Sequence, residues 1–140
     1  MKITTKGRYA IHILYDLAVN GTEHPVSVKE MATRQEISVK YTEQIISILN
    51  KAGYVSSSRG FQGGYRLTKP LDEYVIGDIL RLTEGSLAPA ECLPPAENPC
   101  PKQQKCATIM LWEKVDKAIR DVVDHVTLQD LLDWQKQERC

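Results

Sequence analysis

Between Ser27 and Gly53 the chain carries two helix starts and one clear stop with little between them, and this spacing constrains the fold more than any other feature. Ser27 followed three residues later by Glu30 forms a capping box, in which hydroxyl and carboxylate each take an otherwise orphaned backbone N–H. Val28, Met31 and Ala32 then supply one apolar stripe, predicting a short helix over 28–34. The connection Gln35 to Ile37 is brief, and Ser38 is a second N-cap. The run from there to Ala52 places Val39, Ile45, Ile46 and Leu49 inward before Gly53 ends it. Two short helices joined by a tight turn make a helix-turn-helix. A longer helix over 3–20, with Ala10, Ile13, Leu14 and Leu17 at helical spacing and Gly21 as its stop, precedes them.

The residues after Gly53 extend this pattern. Tyr54 to Ser58 is β-prone, Gly60, Gly63 and Gly64 permit a sharp reversal, and Tyr65 to Leu67 can return as a strand before Pro70. A hairpin directly after a helix-turn-helix predicts a winged helix, whose second helix enters the DNA major groove while the wing reaches the backbone or minor groove. Charge is divided accordingly. Residues 1–70 carry 10 Lys or Arg against 5 Asp or Glu, residues 71–140 carry 8 against 13, and the formal net charge is zero. A basic half suits a polyanion partner, although an ordinary solvated surface has the same composition.

In the second half, 75–84 reads as a helix with Ile76, Ile79, Leu80 and Thr83 on one side and Gly85 closing it. Regular structure then stops, because Pro89, Pro94, Pro95, Pro99 and Pro101 bar both helix and central strand. The pattern resumes over 106–126, where Leu111, Val115, Ala118, Val122 and Val126 share one face of a long helix. That face needs a cover, and either the same helix of a second subunit or the first helix of this chain would serve. Thr127 caps a last helix over 128–135, which carries Leu131, Leu132 and Trp134.

These elements define the expected fold class: mainly α with a small β-hairpin, a winged helix-turn-helix region over 1–70, and a cysteine loop (86–106) with a long dimerisation helix over 71–140 of the same compact protein. A length of 140 residues with 42% hydrophobic content supports one core and excludes large catalytic architectures. The apolar run Ile11 to Val19 is broken by His12 and Asp16, which excludes a membrane span and a secretory signal there, so a cytoplasmic protein without a membrane partner is expected. Gly60 to Gly64 follows a strand but opens no helix, so it is a turn and not a phosphate cradle. With no nucleophile elbow either, the chain reads as a non-enzyme.

Candidate site residues fall in two places. On the helix beginning at Ser38, the outward positions are Ser38, Lys40, Tyr41, Glu43, Gln44 and Ser47. Gln44 can pair with adenine, Glu43 can accept from the amino group of cytosine, Lys40 can donate to guanine or phosphate, and Tyr41 can anchor on the backbone. Lys6 adds a phosphate contact. Arg59 at the wing tip suits the negative potential of a narrow minor groove, and Gly60 lets the backbone come close. The second place is the loop of Cys92, Cys100 and Cys106, with seven and then five residues between neighbours. This is not a zinc-ribbon spacing; it leaves an iron-sulfur cluster and a structural zinc about even, with free thiols a third possibility. A disulfide fits worst, since a cytoplasm keeps thiols reduced and one loop cysteine would be left over or matched only with Cys140.

The start Thr5-Lys6-Gly7-Arg8-Tyr9-Ala10, the stretch Ser38-Val39-Lys40-Tyr41-Thr42-Glu43-Gln44, and the wing Ser57-Ser58-Arg59-Gly60 through Gly63-Gly64-Tyr65 closely resemble the Rrf-type bacterial transcription regulators, and the likeness runs to about Gln135. The resemblance implies a homodimer on a dyad-symmetric double-stranded DNA operator in the bacterial cytoplasm, with Lys40, Glu43 and Gln44 facing the bases. It also implies an iron-sulfur cluster held by the three loop cysteines, as in IscR-like and NsrR-like members. Two departures stand out. IscR-like proteins place a histidine three residues after the last cysteine, where this chain has Ile109. NsrR-like proteins use an aspartate near the start of the first helix of the partner subunit, where this chain has Arg8. The fourth ligand and the choice between two-iron and four-iron forms are therefore open, with His12, water or a small thiol as candidates. The expected function is a repressor or dual regulator reporting iron-sulfur status, oxidants or nitric oxide. The alternative is a cluster-free regulator of cysteine or sulfur metabolism controlled by a protein partner, or one with a structural zinc.

Overall fold

The computed structural model describes residues 2–93, 101–102 and 105–138. Helix α1 spans Thr5–Asn20 and begins two residues later than the spacing predicts, because the Thr4 hydroxyl takes the Gly7 N–H and sets the start. Helices α2 (Val28–Gln35) and α3 (Val39–Lys51) follow, each opened by the expected serine: Ser27 forms the full capping box with Glu30, and the Ser38 hydroxyl accepts from Tyr41 N. Between them Glu36 adopts the left-handed conformation, φ 55°, and its N–H closes the end of α2 on Ala32 and Thr33. The buried row of α3 is Thr42, Ile45, Ile46 and Leu49. Val39, expected inward, is instead 45% exposed. As the first helical residue it lies a turn ahead of the covered row, and Thr42 enters the core because its hydroxyl is satisfied by Ser38 O at 2.9 Å.

Strands β1 (Val55–Ser58) and β2 (Gly64–Leu67) pair antiparallel, Val55 with Leu67 and Ser58 with Gly64. A 3-10 turn at Leu71–Glu73 leads to α4 (Ile76–Glu84), which packs along α1. The last two helices are α5 (Ile109–Val123) and α6 (Leu128–Glu138).

Helix α5 is shorter at both ends than the expected 106–126. Its N-terminal boundary is Thr108. At the other end Val126 leaves the helix because its carbonyl accepts Ile76 N at 2.9 Å, while Leu128 N donates to Tyr74 O at 3.0 Å. The start of α4 and the start of α6 thus supply each other's missing backbone partners. Helix α5 lies against α4 and turns Ile119 and Val123 to the core. Leu111 and Val122, on the predicted apolar face, are 52% and 62% exposed.

One core runs through both halves, joining Ile13, Leu14 and Leu17 of α1 to Ile45 and Leu49 of α3, Tyr74, Ile79 and Leu80 near α4, and Leu128 of α6. Among the described residues no helix is long and apolar enough to cross a membrane.

Candidate functional site

The outward side of α3 is built by what its inward side buries. Lys40, Glu43, Gln44 and Ser47 recur at three- and four-residue steps and are exposed, so they form one polar ridge opposite Ile45 and Leu49. Ser38 is also exposed, but its hydroxyl is engaged as the helix cap. Tyr41 is half-buried, its ring set edge-on to Tyr9 of α1 at 6.2 Å, which braces the start of α3.

An ion pair that the sequence reading did not anticipate fixes the angle of α2 to α1. Asp16 is 4% exposed and receives Arg34 Nε at 2.8 Å and Nη2 at 2.7 Å, with Gln35 Nε2 at 3.3 Å. The signal was present: Asp16 lies a turn from Ile13 and next to Leu17 in a helix whose inner face must be buried, and a buried carboxylate demands a fixed partner.

The wing is held at its base and free at its tip. Val26, just before α2, exchanges two backbone hydrogen bonds with Tyr65 at 3.0 and 2.8 Å, extending the hairpin by a bridge. A side chain at Gly64 would collide with the backbone of Val26 and Ser27, so only glycine permits this approach. The Tyr74 hydroxyl clamps the other side: it donates to Tyr54 O at 2.6 Å and accepts from Thr68 N and Lys69 N. At the tip Gly63 N donates to Gly60 O at 3.0 Å, closing a turn in which Gly60 takes φ 113°. Arg59 and Gly60 are both exposed there, as their expected role requires. Phe61, which sequence reasoning passed over, stands at the apex of the same turn.

Lys6 is exposed in the first turn of α1. That turn is tied to the end of α4, since the Glu84 carboxylate accepts Thr4 N at 3.1 Å and Thr4 Oγ1 at 2.5 Å. A carboxylate at a helix N-terminus is electrostatically favoured. Gly7 admits it, because a side chain there would strike Glu84.

Of the cysteines, Cys92 and Cys106 are half-buried, while Cys100 and Cys140 lie outside the described residues. Cys106 Sγ is 3.0 Å from Thr108 Oγ1, and hydrogen bonds from that hydroxyl and from its backbone N–H draw the thiol below its ordinary value, toward thiolate. Thiolate is the donor that iron-sulfur cores and zinc both take, so the donor type fits either group. Among the described residues no three His, Cys, Asp or Glu side chains converge on a common point. His12 is exposed on α1, beside the Tyr9 ring at 5.8 Å, and lines a hollow of about 290 Å³ with Tyr15, Leu131 and Trp134. The structure therefore places His12 between α1 and α6, without bringing it to Cys92 or Cys106. Ile109 is the first residue of α5.

A family model described as Rrf2, iron-dependent transcriptional regulator, matches residues 3–134. Protein rrf2 of Nitratidesulfovibrio vulgaris is 43% identical over 133 residues, covering 94% of this chain and 87% of that protein. The solved structure of CymR, the global cysteine regulator of Bacillus subtilis, superposes with a TM-score of 0.79 at 39% identity, covering 96% of this chain and 98% of that one. That of T. potens IscR gives 0.80, also at 39% identity, covering 100% and 92%.

Proposed function

We propose, from the premise that the chain belongs to the Rrf2 family and is a DNA-binding transcription regulator, that the α3 ridge and the wing read a two-fold operator as a homodimer, under control of the cysteine loop. The observation that carries the DNA reading is the pairing of a capped α3, whose Lys40, Glu43, Gln44 and Ser47 all face outward, with a wing anchored at Val26 and open at Arg59. In this division residues 1–70 contact DNA, while 71–140 supply the loop and the dimerising helix. Gln44 and Glu43 select bases, Lys40 and Lys6 neutralise phosphates, Ser38 and Tyr41 set the helix against the backbone, and Arg59 with Gly60 enters the minor groove.

For the loop, Cys92, Cys100 and Cys106 would hold an iron-sulfur cluster, which would supply a redox- and nitric-oxide-sensitive charge. The lowered thiol of Cys106 supports ligation, and His12 of a second subunit or a small molecule would complete the set. A cluster-free reading is supported by Ile109 alone, since the comparisons with CymR and IscR do not separate the two readings. CymR and IscR structures are equally similar at 39% identity, and Ile109 cannot bind iron.

The test has two parts. A duplex selected by the wild-type protein from a random library should lose preference at one base pair, by about 1–3 kcal/mol, with Gln44→Ala. Lys6→Ala or Lys40→Ala should instead lower the salt slope by about 1. Unchanged preference in Gln44→Ala overturns the assignment. Protein purified without air should be brown, and should lose the colour when Cys92, Cys100 or Cys106 becomes Ala but not when Cys140 does. Colourless protein with stoichiometric zinc overturns the cluster, and colourless metal-free protein favours the cysteine-regulator reading.

A further inference from the structure

The wing tip contains an aromatic ring that the fold does not use. Phe61 is 104% exposed, the most exposed of the large hydrophobic side chains, and takes no place in the core cluster. Hairpin turns favour Gly, Asn, Asp, Pro and Ser, whose backbone preferences or local hydrogen bonds serve the reversal, and phenylalanine has neither property. The turn is closed by Gly63 N on Gly60 O at 3.0 Å, and its base is fixed by Val26 on one side and Tyr74 on the other. Phe61 itself lines a hollow of about 350 Å³ with His24, Pro25 and Glu30, yet its ring stands fully in solvent.

The surroundings decide what kind of partner would cover it. Ser56, Ser57 and Ser58 are all exposed along β1, Arg59 and Gly60 precede the ring, and Gln62 and Gly63 follow it. A protein-docking patch would continue as apolar surface, whereas this ring is isolated among hydroxyls, a guanidinium, an amide and glycines. Small hydroxyls and arginine suit phosphates and a narrow minor groove, and glycines let a backbone approach closely. An apolar ring within such a set matches the side chains that enter the minor groove and part a base step.

We propose that Phe61 is a DNA contact, entering the minor groove beside Arg59 as an apolar wedge that favours an easily unstacked pyrimidine–purine step. This rests on the DNA-binding role proposed above and adds a specificity that no base-edge hydrogen bond of α3 provides. The energetic logic is indirect readout: the ring pays off only where the step yields, so selectivity arises without a hydrogen bond.

The experiment uses the full-length protein and the duplex selected by the wild type, with 2-aminopurine placed in turn at each position under the wing. Wild-type binding should raise 2-aminopurine fluorescence at one step, reporting unstacking. Phe61→Ala should abolish that rise and weaken specific binding about tenfold with an unchanged salt slope, and Phe61→Leu should keep part of both. Thermal stability should not change, because the ring is fully exposed and takes no place in the core. Equal affinity and equal fluorescence in Phe61→Ala overturn the wedge, and so does a change of oligomeric state, which would put the ring at a subunit contact. If the wild type selects no duplex at all, the DNA-binding reading itself fails, an outcome distinct from failure of the wedge.

Discussion

Helix α3 buries Thr42, Ile45, Ile46 and Leu49 within its own chain, whereas α5, two residues longer, buries none of its residues fully. The two helices are comparably amphipathic in sequence, so pattern alone does not separate them. What differs is the cover. Helix α3 is walled by α1, α2 and β1, while α5 rests on α4 through Ile119 and Val123 and leaves Leu111, Ala118 and Val122 in solvent along one side. A single exposed leucine is ordinary, but an aligned apolar row on one helix asks for a partner. The α3 half is covered within one chain, and the α5 half would be completed by the second subunit proposed above.

The largest effect should come from breaking what completes the first half. Arg34→Ala leaves the Asp16 carboxylate buried with only the neutral amides of Gln35 at 3.3 Å and Asn20 at 3.5 Å, and loss of one partner of a buried pair costs about 3–5 kcal/mol. Thermal unfolding should drop by about 10 °C or more. Asp16→Ala should cost less, because Arg34 is 38% exposed and can be hydrated again. A shift of under about 2 °C in Arg34→Ala would mean that the pair does not set the α1–α2 angle.

The second effect tests the other half. Leu111→Glu or Val122→Glu places a charge on a face that is solvated in one chain and that the proposed dimer would bury. The fold should survive, and the dimer dissociation constant should rise about a hundredfold, close to 3 kcal/mol, in sedimentation or light scattering. Wild-type protein that is monomeric at micromolar concentration, or variants that still dimerise as tightly, would show that the two halves do not differ in this way.

The same contrast explains what could be read from residues alone. Caps and stops are local chemistry, so Ser27, Glu30, Ser38 and Gly53 located α2 and α3 to within a residue or two. The wing was legible because its glycines are required by close backbone approach. Helix α5 was misjudged because its end is decided by a long-range bond, Val126 O accepting Ile76 N, which no local pattern encodes. Val39 was misjudged because periodicity states which side a residue is on, but not whether anything covers that turn. The outward polar ridge of α3 followed from spacing, whereas Phe61 was passed over because a turn reading attends to the glycines around it. The pairs Asp16–Arg34 and Arg81–Asp124 join distant segments and were invisible except through the demand of a buried charge for a partner.

The smallest effect concerns the clip that joins α4 to the end of α5. Arg81 donates to both oxygens of Asp124 at 2.6 and 3.1 Å, and Gly77 makes room, since a side chain there would collide with that carboxylate. Hydrogen bonds from Arg81, with added attraction from Arg81 itself, His125 and Arg120, hold the Asp124 carboxyl below the usual carboxylate range. A depressed folded value means that the contribution is present above the unfolded value near 4 and fades as pH falls through the lower folded value. Both side chains are about a third exposed, so solvent screening limits the contribution to about 0.5–1 kcal/mol. Asp124→Asn should therefore be less stable than wild type near pH 7 in urea unfolding, and the two curves should converge as pH falls below about 4. If instead they stay parallel into acid, the clip is not a charge-dependent contact, and α5 is held on α4 by Ile119 and Val123 alone, which would sharpen its dependence on a second subunit.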